Sequence, residues 1–448
     1  MTKGSLTKMS SSTSSEEMNY SSFLSTRKRN GSSSSNSIRR SSNRSSSSTS
    51  LNGSSRSSLE ADVLVGVSRF QTLQKLLSEH GAPGSTGCSK PDHDLQPISM
   101  KALAATDDGD DDDEETPELI SSITGEGNND EYLNLHPHLF PIAKSKSTGN
   151  IICALRRAFA GGPPAVATVP GMDSTGGNSN NAQWPIVETS MDGYGYKLLA
   201  LNSDHLMKRI VCECDANSER TNLIDLYNDS NKNDALSSSS SAAVTPYEVG
   251  SVHKLGYGVD KYVLLRVGPF ADIYESLARG HQAKGDESSS LISAEALNNK
   301  VSGFASTFLF YAKLLASFPN REEESRDAAR MCLRMPLPSI GFSLDDFREV
   351  AVLGQIANED DEDEVVLAKL QAMYEKMKEH ESEDPQSPAS SNDMTPEQIA
   401  LDEANYLLDT TALTGGKWSE IRPKLAETYR SVGRDDMAAF VHPNNSSR

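Results

Sequence analysis

The sequence predicts an α+β protein, with a small antiparallel sheet near its middle, a C-terminal half of helical hairpins, and a long disordered N-terminal tail with linkers. Three observations predict this class. Residues 184–267 hold short apolar runs bounded by Gly, Asn and Asp, which is typical of short strands. Beyond Gly268, apolar residues recur at intervals of three and four, as on amphipathic helices. Only 36% of the 448 residues are hydrophobic, which is low for a chain that is folded throughout.

The first 57 residues are predicted to be a disordered Ser- and Arg-rich tail. Serine fills 25 of the first 58 positions, which also hold nine lysines or arginines and only Glu16 and Glu17 as acids. Such a segment buries too little apolar surface to offset the entropy lost on folding. It resembles an organelle transit segment. The alternatives are a regulatory tail, phosphorylated at Ser41 and Ser42 behind a pair of arginines, or low-complexity sequence without a selected role.

The remainder of the chain is acidic. The net charge is −20 in total and +7 over the first 58 residues, so residues 59–448 sum to −27. This charge disfavours nucleic acid or anionic lipid as a partner. No run of ~18 apolar residues occurs, so we expect a soluble protein without membrane insertion. The five cysteines have no recurrent spacing, which is typical of reduced thiols inside a cell. Within the cell, the transit-like start of the chain indicates a plastid or other organelle, and the alternative is the cytoplasm.

Between the tail and the sheet, the sequence predicts two helices and two linkers. Apolar residues from Val63 to Leu77 lie three or four apart, with Ser58 as a possible N-cap and Gly81 as a stop, which indicates an amphipathic helix. The run "STGNIICALRRAFAGGPP" is interpreted as a short helix. The predicted segments are the helix at 58–82, an acidic disordered linker at 83–130, a short helical segment at 131–161 and a linker at 162–183.

The predicted sheet region spans residues 184–267. The runs "WPIVETS", "YKLLALN" and "KYVLLRV" favour strands, whereas "DHLMKRIVCECDA" fits a helix or a strand. On a strand, Cys212 and Cys214 would share a face and could bind a soft metal together with His205. No second cysteine pair completes a tetrahedral site, so core packing is the favoured interpretation. The polar stretch from Asn228 to Thr245 is predicted to be a mobile loop.

The C-terminal half is predicted to be helical hairpins. Pairs of helices are expected at about 269–298, 304–335 and 418–441. The predicted divisions are a hairpin region at 268–378, a disordered linker at 379–394 and a helical segment at 395–443. Thr395, Pro396 and Gln398 make a helix start of the capping-box type.

One motif occurs twice in this half, with the form L-A-x-x-[H/Y]-x-x-x-G. Its residues are Leu277, Ala278, His281 and Gly285 in the first copy and Leu425, Ala426, Tyr429 and Gly433 in the second. Leucine and the ring four residues later share a helix face, and the glycine ends the helix in a left-handed conformation. Tyr429 replaces His281, an exchange that packing tolerates and proton transfer at neutral pH does not. The motif therefore predicts structure, and we assign no catalytic residue.

The motif is similar to the first helix and turn of tetratricopeptide-type repeats, which implies antiparallel helix pairs that stack on one another. Ala438 stands where such repeats place a small residue in their second helix, whereas Gly285 is followed by "DESSS" without that residue in register. No steady period of ~34 residues occurs. Residues 260–350, including "YVLLRVGPFADIYESLARGHQAKGD", resemble an uncharacterised family of plant and algal plastid proteins. That resemblance implies an organelle address.

These features predict a non-enzymatic interaction scaffold or assembly factor that binds another protein and needs no cofactor. The charged helix in "FPNREEESRDAARMCLRMPLP" is a candidate partner-binding ridge, because stacked helix pairs make an extended surface. Its candidate residues are Glu322, Arg326, Arg330 and Arg334, with Glu322 and Arg326 expected to form an ion pair. The alternatives are an enzyme or metal-binding protein that uses the 184–267 region, and a phosphorylation-regulated adaptor.

Overall fold

The computed structural model describes residues 69–86, 94–98, 132–158, 184–237, 246–383 and 394–442. Within them, five strands form one antiparallel sheet in which each strand pairs with the next one along the chain. The strands are β1 (Leu95–Pro97), β2 (Leu139–Ser145), β3 (Ile151–Leu155), β4 (Ile186–Thr189) and β5 (Lys197–Ala200).

Helices make up most of the rest of the described chain, so the predicted α+β class is confirmed. Residues 69–80 are helical and are called α1. The helices after the sheet are α2 (Ser203–Asn217), α3 (Thr221–Ser237), α4 (Ser251–Leu255), α5 (Val259–Arg266), α6 (Ala271–Ala283), α7 (Glu287–Lys300), α8 (Ala305–Ala316), α9 (Glu322–Cys332), α10 (Leu344–Leu353), α11 (Asp363–Glu383), α12 (Pro396–Leu413), α13 (Trp418–Arg430) and α14 (Asp435–Val441). Among the helices of the described residues, none combines the length and hydrophobicity that crossing a membrane requires.

The sheet is covered on both faces. Ile152 and Ala154 of β3 belong to the larger core, which also includes leucines of α1 and α2. Ile151 and Cys153 point the other way and belong to a second core with Phe310 and other residues of α6, α7 and α8. This alternation is what a pleated strand imposes when helices lie on both sides. The sheet therefore joins the N-terminal helices to the helical C-terminal half.

Two predictions of local structure are wrong. The run "IICAL" is strand β3, not a helix, because a strand buried on both faces reads as a continuous apolar run that periodicity cannot distinguish from a helix. The run "KYVLLRV" is helix α5, not a strand. Its Val263 is buried while Leu265 is exposed, so its apolar residues do not follow the pleat of a half-buried strand.

The predicted linkers are partly wrong as well. Strand β1 lies inside 83–130, helix α3 continues through Asn228 to Ser237, and α11 extends to Glu383 inside 379–394. Polar composition conceals these elements because neither a three-residue edge strand nor the last turn of a helix needs many apolar residues. The predictions for 1–57, 162–183 and the acidic run at 107–115, and those for Ser41 and Ser42, lie outside the described residues.

Helix pairs form the C-terminal half: α6 with α7, α8 with α9, and α13 with α14. Gly285 and Gly433 adopt φ values of +75° and +71°, and each lies in the turn between two paired helices, as the motif predicts. The amide of Asp286 donates to the His281 carbonyl oxygen, and the amide of Arg434 donates to that of Tyr429, both at 3.0 Å. These are matching helix terminations that reverse the chain.

The turn between α8 and α9 also contains a residue with a positive φ, Asn320 at 61°. In all three turns a small buried residue lies five positions later: Ser290 after Gly285, Ser325 after Asn320 and Ala438 after Gly433. The Ser290 hydroxyl donates to the Ala278 carbonyl at 2.8 Å, which fastens α7 to α6. The prediction that "DESSS" lacks a small residue in register is therefore wrong, because Ser290 fills that place and a serine can hydrogen-bond to the facing helix.

Helices α13 and α14 pack on residues 133–138, which lead into β2, and on the connection between β4 and β5. The Tyr429 hydroxyl lies 2.7 Å from His138 Nε2, and the Trp418 indole donates to the Gly193 carbonyl at 2.8 Å. Buried Arg422 donates to the carbonyls of Leu133, Leu135 and Val441 at 2.7 to 2.9 Å. The C-terminal hairpin is thus part of the same folded unit as the sheet.

Candidate functional site

The ridge on α9 is only partly available to a partner. Glu322 and Arg334 are exposed, whereas Arg326 and Arg330 are half-buried. Arg330 Nε donates to the Gly354 carbonyl at 3.0 Å and so packs α9 on the end of α10. The predicted Glu322–Arg326 ion pair is wrong, because Arg326 Nε turns to the neighbouring Asp327 carboxylate at 3.4 Å. The ridge remains a prediction, now centred on Glu322 and Arg334.

The residues of the metal alternative all lie on α2. On a helix, Cys212 and Cys214 point about 160° apart, so their sulfurs do not share a face as they would on a strand. Burial raises the pKa of the Cys212 thiol to about 12 and that of Cys214 to about 11, so both are protonated at neutral pH. Across the described ranges, no three His, Cys, Asp or Glu side chains are grouped to hold a metal ion. The geometry favours core packing for both cysteines.

His205 packs where the chain passes into α6. A Cβ on Gly268 would lie 2.6 Å from the His205 ring, so the absence of a side chain at Gly268 permits this close approach. Burial also lowers the pKa of His205, which keeps the ring neutral against Phe270. His205 therefore helps to seat α6 on α2.

A buried arginine strengthens the same junction. The Arg209 guanidinium donates to both carboxylate oxygens of Asp272 on α6, at 2.7 and 2.6 Å, and its Nε donates to Glu213 at 3.0 Å. It also lies over the Phe270 ring, 4.8 Å from the centroid. Burial opposes its charge, but the two carboxylates raise the pKa of Arg209 overall. This forked pairing fixes the direction in which the helical half leaves the sheet layer.

The segment between α3 and α6 is fastened at one end by Asp215. Its carboxylate accepts from the Tyr247 hydroxyl at 2.9 Å and from the amides of Gly250 and Val252 at 2.6 and 3.2 Å. The amides belong to the start of α4, where a carboxylate satisfies donors that have no partner inside the helix. Asp215 thus holds α4 against the end of α2, and Val252 and Val263 are buried beneath the segment.

The outer side of this segment carries three of the seven exposed large hydrophobic residues of the described ranges. Leu265 and Tyr257 are 66% and 64% exposed, the two highest values among the exposed large hydrophobic residues of the described ranges, and Val249 is 58% exposed. Tyr257, Lys261 and Leu265 follow one another at intervals of four, and the Lys261 ammonium lies 5.8 Å from the Tyr257 ring. We call the exposed side chains of Val249, Lys254, Tyr257, Lys261, Leu265 and Arg266 the α4–α5 face.

Several exposed apolar side chains grouped on one short segment are typical of surfaces at which other proteins bind. Residues 246–267 carry Lys254, Lys261 and Arg266 against Glu248 and Asp260, so the segment is slightly basic in an acidic chain. Sequence reasoning missed the face because it interpreted "KYVLLRV" as a strand. An indication was present, since a helix of that sequence must expose part of its apolar run.

Comparison with known proteins identifies relatives of this chain. The model of the PAB middle domain matches residues 271–357, and that of the PAB C-terminal domain matches residues 370–444. Protein IN CHLOROPLAST ATPASE BIOGENESIS, chloroplastic, from Arabidopsis thaliana is 30% identical over 310 residues, which cover 68% of this chain and 78% of the relative. No solved structure matches significantly.

These matches confirm the resemblance to a plastid protein family. The middle-domain match begins with the first residue of α6 and includes α6 to α10. The C-terminal match begins inside α11 and includes α12 to α14. The 310 matched residues exceed the span from 271 to 444, so the similarity extends beyond these two domains. The chain belongs to the family of the Arabidopsis protein IN CHLOROPLAST ATPASE BIOGENESIS.

Proposed function

We propose that this chain is a plastid assembly factor for an ATPase, and that it acts without catalysis by binding another protein. The observation that carries the proposal is its 30% identity, over 310 residues, to a chloroplastic protein named for ATPase biogenesis. The similarity covers 68% of this chain and 78% of the relative, so it extends beyond the two matched domains.

The structure supports a binding role in two ways. Its helix pairs form a continuous series from α6 to α14, a type of architecture that presents extended surfaces to partners. Several buried charged groups serve the fold: Arg209 and Asp215 fasten elements together, and Glu188 accepts from Ser85, Thr86 and Asn150 at 2.7 to 3.0 Å. The hydrogen bonds of these charged groups therefore hold elements of the fold together.

The plastid address rests on the relative and on the Ser-rich, acid-poor start of the chain. Incubating the full chain with isolated chloroplasts tests it. We expect uptake into a protease-protected fraction, with N-terminal sequencing of the imported form showing removal of most of residues 1–57. A chain that stays outside and accessible to protease would contradict the plastid proposal.

Depletion of the protein in the organism that encodes it tests the assembly role. We expect less assembled chloroplast ATPase on native gels while its subunits continue to be synthesised, and recovery when the full chain is restored. Other membrane complexes of the same plastid serve as the control and should keep their abundance. Unchanged assembly of the ATPase after depletion would refute the proposed function.

A further inference from the structure

The α4–α5 face has features of a docking surface that packing within the chain does not explain. Val252 and Val263 already anchor the segment, so exposure of Tyr257 and Leu265 contributes nothing to holding it in place. Asp215 and the buried valines fix the backbone from below, which leaves the outer side chains presented on a supported base. A surface held in this way is organised before a partner arrives.

The charges beside these apolar side chains indicate the kind of partner. Lys261 lies one helical turn before Leu265, and Arg266 follows it, and both cations are exposed. Lys254 is already paired with Glu248, at 2.5 Å, so Lys261 and Arg266 are the cations that remain for a ligand. Residues 59–448 sum to −27, so an acidic partner is repelled by most of this protein and attracted at this face.

We propose that the α4–α5 face binds an acidic segment of a partner protein, one that inserts apolar side chains between Tyr257 and Leu265 and pairs its carboxylates with Lys261 and Arg266. The proposal rests on the proposed function, because the partner is taken to be a protein whose assembly this chain assists. A basic segment is disfavoured by Lys261 and Arg266. The chain's own acidic run at 107–115 contains no apolar residue with which to cover Leu265.

Photocrosslinking of the full chain tests this surface. Benzoylphenylalanine in place of Tyr257 is irradiated in a plastid extract, and the crosslinked peptide is sequenced by mass spectrometry. The matched control carries the same group in place of Tyr406, an aromatic residue that is 43% exposed on α12, about one turn after the exposed Asp402 and Glu403. We expect position 257 to crosslink to a partner segment that has net negative charge and apolar residues, at a yield several times that of position 406.

A double variant with Lys261→Glu and Arg266→Glu should lower the yield at position 257 at least tenfold. Circular dichroism should remain unchanged, because both side chains are exposed. A crosslink to a basic segment, to a second copy of the chain or to residues 107–115, or no crosslink above that of position 406, would overturn the proposal. A crosslink to an acidic segment of a protein unrelated to any ATPase would support the surface while counting against the proposed function.

Discussion

Asp409 is a buried carboxyl group at the boundary between the two matched domains. Its oxygens accept from the Leu337 amide at 2.8 Å and from the Tyr374 hydroxyl at 2.9 Å. Burial raises the pKa of Asp409 to about 7, although these two hydrogen bonds oppose the shift. Nothing in the sequence indicated this residue, because its environment is made by residues 72 and 35 positions away. Burial of a single polar group depends on tertiary contacts that local patterns do not encode.

Asp409 should make stability fall as pH rises towards 8. Its folded pKa is above the unfolded value, so it stabilises the fold fully below pH ~4, and this contribution is lost as pH rises through about 7. Between pH 6 and 8 the loss is roughly 1 kcal/mol. Asp409→Asn keeps the acceptor for Leu337 and cannot ionise, so urea unfolding of the variant should lack this loss. Equal pH dependence of variant and native protein would contradict the assignment.

The buried pair His136 and His138 should give the opposite pH dependence, so that stability falls as pH falls. Burial lowers the pKa of His138 to about 3 and also lowers that of His136. A lowered folded pKa means that stability is present above pH ~6.5 and is lost as pH falls, by roughly 2 kcal/mol for His138 between pH 7 and 5. His138→Gln can still bond to Tyr429 and should lose less stability over this range in urea unfolding. A variant that loses as much as the native protein would show that His138 does not remain neutral.

At the scale of elements, sequence patterns predicted the hairpin turns better than the strands. Gly285 and Gly433 carry a local signal, since a left-handed turn after a helix depends on a few adjacent residues. Strand β3 carries no such signal, because its period is hidden when both faces are buried. The α4–α5 face was missed for a related reason, since the side on which Leu265 lies is fixed by the packing of Val263 and not by the run itself.

Two glycines near the end of α6 should respond in opposite ways to alanine. Gly280 lies inside the helix with open space where a Cβ would stand, so Gly280→Ala should stabilise the fold by up to about 1 kcal/mol. Gly285 also has open space, but its φ of +75° strains any L residue, so Gly285→Ala should destabilise it by about 1 kcal/mol. Thermal unfolding measures both. A stabilising Gly285→Ala would show that the turn does not require the left-handed conformation.

At the scale of the molecule, the sheet and the C-terminal hairpin unite parts of the chain that the sequence divides. Trp184, before β4, contacts Phe440 of α14 at 6.0 Å between ring centroids, and Arg156 after β3 pairs with Asp436 at 2.7 Å. The predicted segments gave no indication of these contacts, because they join positions more than 250 residues apart. The segment boundaries predicted from sequence depend on local composition, whereas the extent of a folding unit depends on long-range packing.

This packing predicts that the C-terminal hairpin unfolds together with the rest of the described chain. The protein has two tryptophans, and both report on the contact, Trp184 beside Phe440 and Trp418 through its bond to Gly193. Single-tryptophan variants, Trp184→Phe and Trp418→Phe, should each show a fluorescence midpoint in urea that coincides with the midpoint of their own far-ultraviolet circular dichroism. If the hairpin separated first, fluorescence would change while most of the helical signal remained, and the hairpin would then be a folding unit independent of the sheet.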